Sequence, residues 1–216
     1  MIIILIIVNH NKNANDYKNT EYYNITHNSY RTVRCNKGKN GEYQIFKILN
    51  KIEGNKKLLF NCYIPRHDGT TTEVDVIMIH ETGIYVIESK NYDGLPMRFL
   101  DVSFPCRQVR PGGICKNLKK VNKIKFYNPI MQNKVHIKWL KEYLKNTYVG
   151  VYFSYIVFGN NCSLKSISLV SDEHRVLNRG CLLKDMYRLM VKNDVNDLSY
   201  EQKKEALVSL IKKEKN

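Results

Sequence analysis

The apolar positions fall into runs with two different periods. Over residues 37–52, "KGKNGEYQIFKILNKI", Tyr43, Phe46, Ile48 and Leu49 recur at helical spacing and predict an amphipathic helix. "KKLLFNCYIP" (56–65) predicts a strand and "HDGTT" a turn. "TEVDVIMIH" (72–80) and "GIYVIESKN" (83–91) predict two more strands, joined by a tight connection at Gly83. Both are near-continuous in Val and Ile, as strands covered on two faces are. "NPIMQNKVHIKWLKEYLKN" (128–146) predicts a helix, with Asn128 as its cap and Pro129 at its first position. "YVGVYFSYIVFG" predicts a further buried strand and "SLKSISLVS" a short one. "CLLKDMYRLMVK" and "SYEQKKEALVSLIKK" predict C-terminal helices, the second capped by Ser199.

Helix, three strands, helix, strand is the order of an α/β protein with a mixed sheet flanked by helices. The division expected along the chain is an irregular N-terminal leader over 1–36, a core over 37–160, and a short strand with a helical extension over 161–216. The leader is rich in Asn, Tyr, His and Thr without clear periodicity. Its apolar start, "MIIILIIV", is eight residues long, whereas a membrane span needs about 20. No basic region precedes it and no small-residue cleavage site follows, so an edge strand or a plain apolar end is expected.

Charge changes the picture more than composition does. The 216 residues are 43% hydrophobic and 25% charged, enough for one packed domain. However, 35 Lys and Arg stand against 20 Asp and Glu, a formal charge of +15. Such a field favours a polyanion, either nucleic acid or an anionic membrane surface; a solvated lysine-rich surface is the plainer account. The six cysteines are dispersed with no CxxC pair, which points to reduced thiols and a cytoplasmic setting. Cys106 and Cys115 flank "RQVRPGGI", without the usual zinc spacing.

The candidate chemistry lies on the two central strands. Side chains alternate along a strand, so Ile84, Val86, Glu88 and Lys90 share a face. If the strands form a hairpin with Ile79 opposite Ile84, then Ile77 meets Val86 and Asp75 meets Glu88. Opposed carboxylates, about 5 Å apart at Cβ, are destabilising unless something positive lies between them. A hard divalent cation would resolve this, because magnesium is held by one or two carboxylates and waters. Lys90, one step along the same face, would orient a water or stabilise charge on a phosphate. The plainer alternative is a Glu88–Lys90 ion pair. On the helix after Pro129, Gln132 and His136 lie one turn apart on a stripe continued by Trp139, Leu140 and Tyr143, and are expected to point inward. Glu42, in the first turn of the first core helix, suits the helix dipole with or without a further role.

"GKNGEYQIFKIL", "TEVDVIMIHETGIYVIESKNYDG" and "NPIMQNKVHIKWL" resemble the successive motifs of the nuclease-related domain (NERD) family, part of the PD-(D/E)xK nuclease superfamily. The resemblance covers about residues 37–160 and implies a restriction-endonuclease-like αβββαβ core. It implies that Asp75 and Glu88, completed by Glu42, hold Mg²⁺ or Mn²⁺. It also implies that Lys90 is the catalytic lysine and that Gln132 is the family glutamine. His136 stands where related nucleases carry an aromatic residue, and is expected on the nucleic-acid side. Val74 replaces the usual proline before the aspartate, a position that varies widely. Residues 95–127 fit the family poorly and read as a basic variable insertion. Arg98, Arg107, Arg110, Lys119 and Lys120 within it are candidates for following a nucleic-acid backbone, or simply solvated charges. The expected function is metal-dependent phosphodiester hydrolysis with DNA as substrate. The alternatives are an inactive nucleic-acid-binding module on the same fold and, last, a membrane-surface protein.

Overall fold

The computed structural model describes residues 11–91, 96–100, 106–108, 125–168 and 173–192. In chain order these form α1 (11–18), α2 (Glu21–Thr26), α3 (Tyr30–Cys35), α4 (Lys37–Leu49), β1 (Lys56–Pro65), β2 (Thr71–His80), β3 (Gly83–Lys90), β4 (Pro96–Leu100), β5 (Cys106–Gln108) and β6 (Lys125–Phe126). These are followed by α5 (Pro129–Leu144), β7 (Tyr152–Phe158), β8 (Ser163–Ser168), β9 (His174–Asn178) and α6 (Arg179–Lys192). The αβββαβ order of a restriction-endonuclease-like core is therefore present, with a C-terminal helix after it.

The main sheet runs β1-β2-β3-β7-β9. β1, β2 and β3 form an antiparallel meander, and β7 and β9 add on in parallel. The mixed sheet has a core on each face. Val76, Met78, Tyr85, Ile87, Tyr155 and Val157 pack beneath α4 and α6. Ile77, Ile79, Ile84 and Val86 pack beneath Leu140 and Leu144 of α5. Coverage on both sides explains why β2 and β3 carry apolar residues at successive positions instead of alternating.

Three expectations change. First, residues 11–36 are not an irregular leader. They are helical over α1–α3, with Thr20 and Ser29 as N-caps, and bury Tyr17, Tyr22 and Val33 in the first core. The Asn- and Thr-rich composition that suggested irregularity supplies the caps, and the tyrosines supply the packing. Tyr17 alone has ring contacts with Tyr22, Tyr23, Tyr30 and Tyr43 at 5.1–6.3 Å. Second, the main sheet continues past residue 160, because β9 pairs with β7 and covers what would otherwise be an exposed edge. Third, the buried stripe of α5 is Asn133, His136, Leu140 and Leu144, so the helix is turned by about one residue from the expected face. Trp139 lies at its margin against His67, with ring centroids 5.0 Å apart.

The basic insertion contributes β4, β5 and β6, which join β8 in a second sheet of order β6-β5-β4-β8. The apolar start and the expected helix over 199–213 lie outside the described residues. Among the described residues, no helix is long and apolar enough to cross a membrane.

Candidate active site

The site forms where β2 and β3 part. Their ladder runs from His80↔Gly83 through Ile79↔Ile84 and Ile77↔Val86 to Val76↔Ile87. This is the register expected from the sequence, and one step further would oppose Asp75 to Glu88. There the backbone bonds give way to a side-chain bond, as Ser89 N–H donates to Asp75 Oδ2 at 2.8 Å. β3 continues beside β7 as far as Lys90↔Phe158. Glu88 and Lys90 are thus held by one neighbour at the mouth of a fork.

A break in the opposite ladder helps to shape that fork. β1 pairs Phe60↔Val76 and Cys62↔Val74, omitting Asn61 and Asp75 between them. Asn61 has φ 51°, in the left-handed region, which Asn tolerates better than most residues. The buried faces exchange at this point. Leu58 and Phe60 belong to the α4 side, whereas Cys62, Ile64 and Val74 belong to the α5 side.

Glu88 is 1% exposed. Its Oε1 accepts from Lys90 Nζ at 2.5 Å, and Lys90 Nζ also donates to Gln132 Oε1 at 3.2 Å. Glu88 Oε2 faces His136 Nδ1 at 3.5 Å, and both atoms are buried without a hydrogen-bond partner among the described residues. Burial first, then the Asp75 charge, pushes Glu88 up to about 7 against the pull of Lys90. Burial also raises Asp75, opposed by the Ser89 N–H and Lys90. Burial, followed by the charges of Lys90 and Arg66, pushes His136 down to about 4, so it is neutral at physiological pH.

Asp75, Glu88, Lys90, Gln132 and His136 therefore come together from β2, β3 and the first two turns of α5. Glu42 lies in the second turn of α4, not the first as expected, because the helix already starts at Lys37; it is adjacent to the site but already occupied. It accepts from Tyr22 Oη (3.2 Å), Asn61 Nδ2 (3.1 Å) and Lys39 Nζ (3.3 and 3.4 Å), while Lys39 also contacts Asn61 Oδ1. Burial raises the Glu42 carboxyl; Lys39 opposes this and Asp75 adds to it. Arg98 and Arg107 are Cα partners across β4 and β5. Arg110, Lys119 and Lys120 lie outside the described residues.

Sequence reasoning missed Asn133, Lys39, Asn61 and Tyr22. Asn133, fully buried, donates through Nδ2 to Val86 O (3.0 Å) and Ser154 Oγ (2.9 Å), which pins α5 over β3 and β7. Its signal was present as a polar residue three positions before His136 at helical spacing. Lys39 could have been found at i−3 from Glu42. Asn61 and Tyr22 carry no local signal.

The donor set fits a hard cation. Glu88 Oε2 is, among the described residues, a buried acceptor without a donor, and the Asp75 carboxylate raises Glu88 further. Among the described residues, no group of three or more His, Cys, Asp or Glu encloses a metal position. An ion would thus rest on Asp75 and Glu88 and complete its shell with water and substrate oxygens, as magnesium commonly does. A cavity of about 900 Å³ opens elsewhere, at the start of β7 and β9 against α5, and none of these site residues lines it.

A family model described as "Nuclease-related domain" (NERD) matches residues 37–159. The chain is also similar to an uncharacterized protein of Bacillus anthracis, 32% identical over 142 residues. That alignment covers 65% of this chain and 61% of the relative, so the chain matches about three-fifths of that protein's length. No solved structure matches.

Proposed function

Because the chain belongs to the nuclease-related domain family, we propose that it hydrolyses phosphodiester bonds in nucleic acid, with DNA as substrate and Mg²⁺ or Mn²⁺ as cofactor. The observation that carries this reading is the buried Glu88 carboxylate, raised by burial and by Asp75, with one oxygen lacking a donor among the described residues. Asp75 and Glu88 would hold the ion. Bound there, it would supply charge to a phosphate and lower the pKa of a water. Lys90, braced between Glu88 and Gln132, would place its ammonium against charge developing on the phosphate. His136, kept neutral by burial, adds a polar edge beside Glu88 without adding charge.

Incubating plasmid DNA and oligonucleotides with Mg²⁺ or Mn²⁺ tests the proposal. Wild type is expected to cleave, while Asp75→Ala and Lys90→Ala lose cleavage. Equal cleavage by all three proteins would refute it, as would none by wild type across several substrates and both metals.

One observation favours a second reading, an inactive nucleic-acid-binding module. Lys90 is closed onto Glu88 as an ion pair, the simplest structural use of both residues. That reading expects salt-sensitive binding that needs no metal and survives Lys90→Ala.

A further inference from the structure

A cavity of about 280 Å³ opens at the same end of the sheet, walled by Arg34, Lys37, Asn40, Asn91, Asn160 and Arg179. Its described lining holds three cations and no carboxylate. The cations converge from three elements: Arg34 from the last turn of α3, Lys37 from the start of α4 and Arg179 from the start of α6. Neither α4 nor α6 carries an acidic residue in its first turn to offset them.

The walls are braced. Asn91 Nδ2 donates to Lys37 O at 2.8 Å, Gly180 N–H donates to Asn160 Oδ1 at 2.8 Å, and the Arg34 guanidinium lies 5.8 Å from the centre of the Tyr30 ring. The cavity is also tied to the catalytic strand. Asn91 directly follows Lys90, and Lys90 O accepts from Gly159 N–H at 3.1 Å. Asn91 is three residues from Glu88, about 10 Å at the rise of a strand.

Three cations and amide groups around a small cavity suit a group with more than one negative charge. A phosphate monoester carries about −1.5 to −2 near neutral pH and three acceptor oxygens. A phosphodiester within a chain carries a single charge and has chain continuing on both sides, which a groove accommodates better than a pocket. We propose that this cavity holds the terminal phosphate of a nucleic-acid strand, whose chain then passes over the end of β3 towards Glu88 and Lys90. The identity of the ligand rests on the nuclease reading; the phosphate site does not.

Binding of short labelled single strands of one sequence, with a 5′-phosphate, a 3′-phosphate or hydroxyls at both ends, is measured by fluorescence anisotropy in EDTA. Without metal no cleavage intervenes, so a failed nuclease reading leaves this result interpretable. One phosphorylated end is expected to bind at least about tenfold tighter than the hydroxyl-ended strand, the scale of a charge-assisted contact. Arg34→Gln and Arg179→Gln should each narrow that gap, weakening the phosphorylated strand more than the hydroxyl-ended one. Arg34 is exposed, so its variant reports even if Arg179→Gln unfolds. Equal affinity for all three strands, or a gap that survives both substitutions, overturns the proposal. So does a nucleoside monophosphate that binds as tightly as the strand, because the ligand would then be the free nucleotide.

Discussion

Ser89 N–H donates to Asp75 Oδ2 at 2.8 Å, where the next backbone bond of the β2–β3 ladder would otherwise fall. This one bond ends the pairing and fixes the carboxylate beside Glu88. Asp75→Asn keeps an acceptor for Ser89 and removes the charge. Glu88 should then titrate below about 7, because the Asp75 charge is, after burial, the largest cause raising it. Cleavage should fall by about 100-fold or more, the scale of losing one electrostatic contributor to a transition state. Carboxyl-detected NMR and a nuclease assay measure the two effects, with thermal melting to establish that the fold is intact.

Glu88 and His136 act in opposite directions on the pH dependence of stability. Glu88 rises from 4.5 to about 7 on folding, so between those values the folded protein binds the extra proton and stability falls as pH rises. His136 drops from 6.5 to about 4, so over that window the unfolded chain binds the extra proton and stability rises with pH. In the metal-free wild type the two largely offset between pH 4.5 and 6.5. Glu88→Gln keeps an acceptor for Lys90 and removes one partner of this balance. Its stability should climb through the histidine window, and above about pH 7 it should exceed that of the wild type. Urea midpoints across this range measure both curves. A Glu88→Gln profile as flat as that of the wild type would contradict the assignment.

Gly41 lets α4 approach the end of β3. A Cβ there would lie 2.8 Å from Ser89 Oγ and 2.9 Å from Asn91 Cβ. Gly41→Ala should cost about 1–3 kcal/mol of stability, as overpacking does. It should also reduce cleavage beyond what the lost stability explains, since the shifted strand carries Glu88 and Lys90. Gly38→Ala, whose Cβ would come no closer than 3.3 Å to the Asn36 side chain, is the control and should leave both nearly unchanged.

Asn61 carries two burdens, a left-handed backbone and a hydrogen bond to Glu42. Asn61→Gly relieves the first and loses the second, so the Glu42 carboxyl should titrate higher. Asn61→Val loses the bond and forces a β-branched side chain into the left-handed region, so it should be less stable than the glycine variant by about 1–3 kcal/mol. Chemical denaturation of the two variants compares them directly. Equal stability would mean that β1 can pass Asp75 without the left-handed turn.

Much of the site was legible because its parts are local. Glu88 and Lys90 are two residues apart on one strand, and the Gly83 turn pins the register that carries Asp75 to Glu88. The capped start of α5 announced where Gln132 and His136 would sit along the helix. Their rotation was less legible, because it depends on Asn133 bonding to Val86 and Ser154, which lie on two different strands. α1–α3 were hidden for a related reason. Their tyrosines have no helical period visible in short segments and become a core only when they meet Tyr43, Phe46 and Phe60.

By itself the sequence determined the αβββαβ order of the core elements, the hairpin register and the strand carrying Glu88 and Lys90, since period and turn chemistry act over a few residues. Only the tertiary structure decided what surrounds them. Tyr22, Lys39 and Asn61 converge on Glu42 from three elements, and Arg34, Lys37 and Arg179 meet around one cavity across 145 positions of chain. Burial sets the carboxylate of Glu88 and the imidazole of His136, and burial is a property of the packed molecule rather than of any stretch of it.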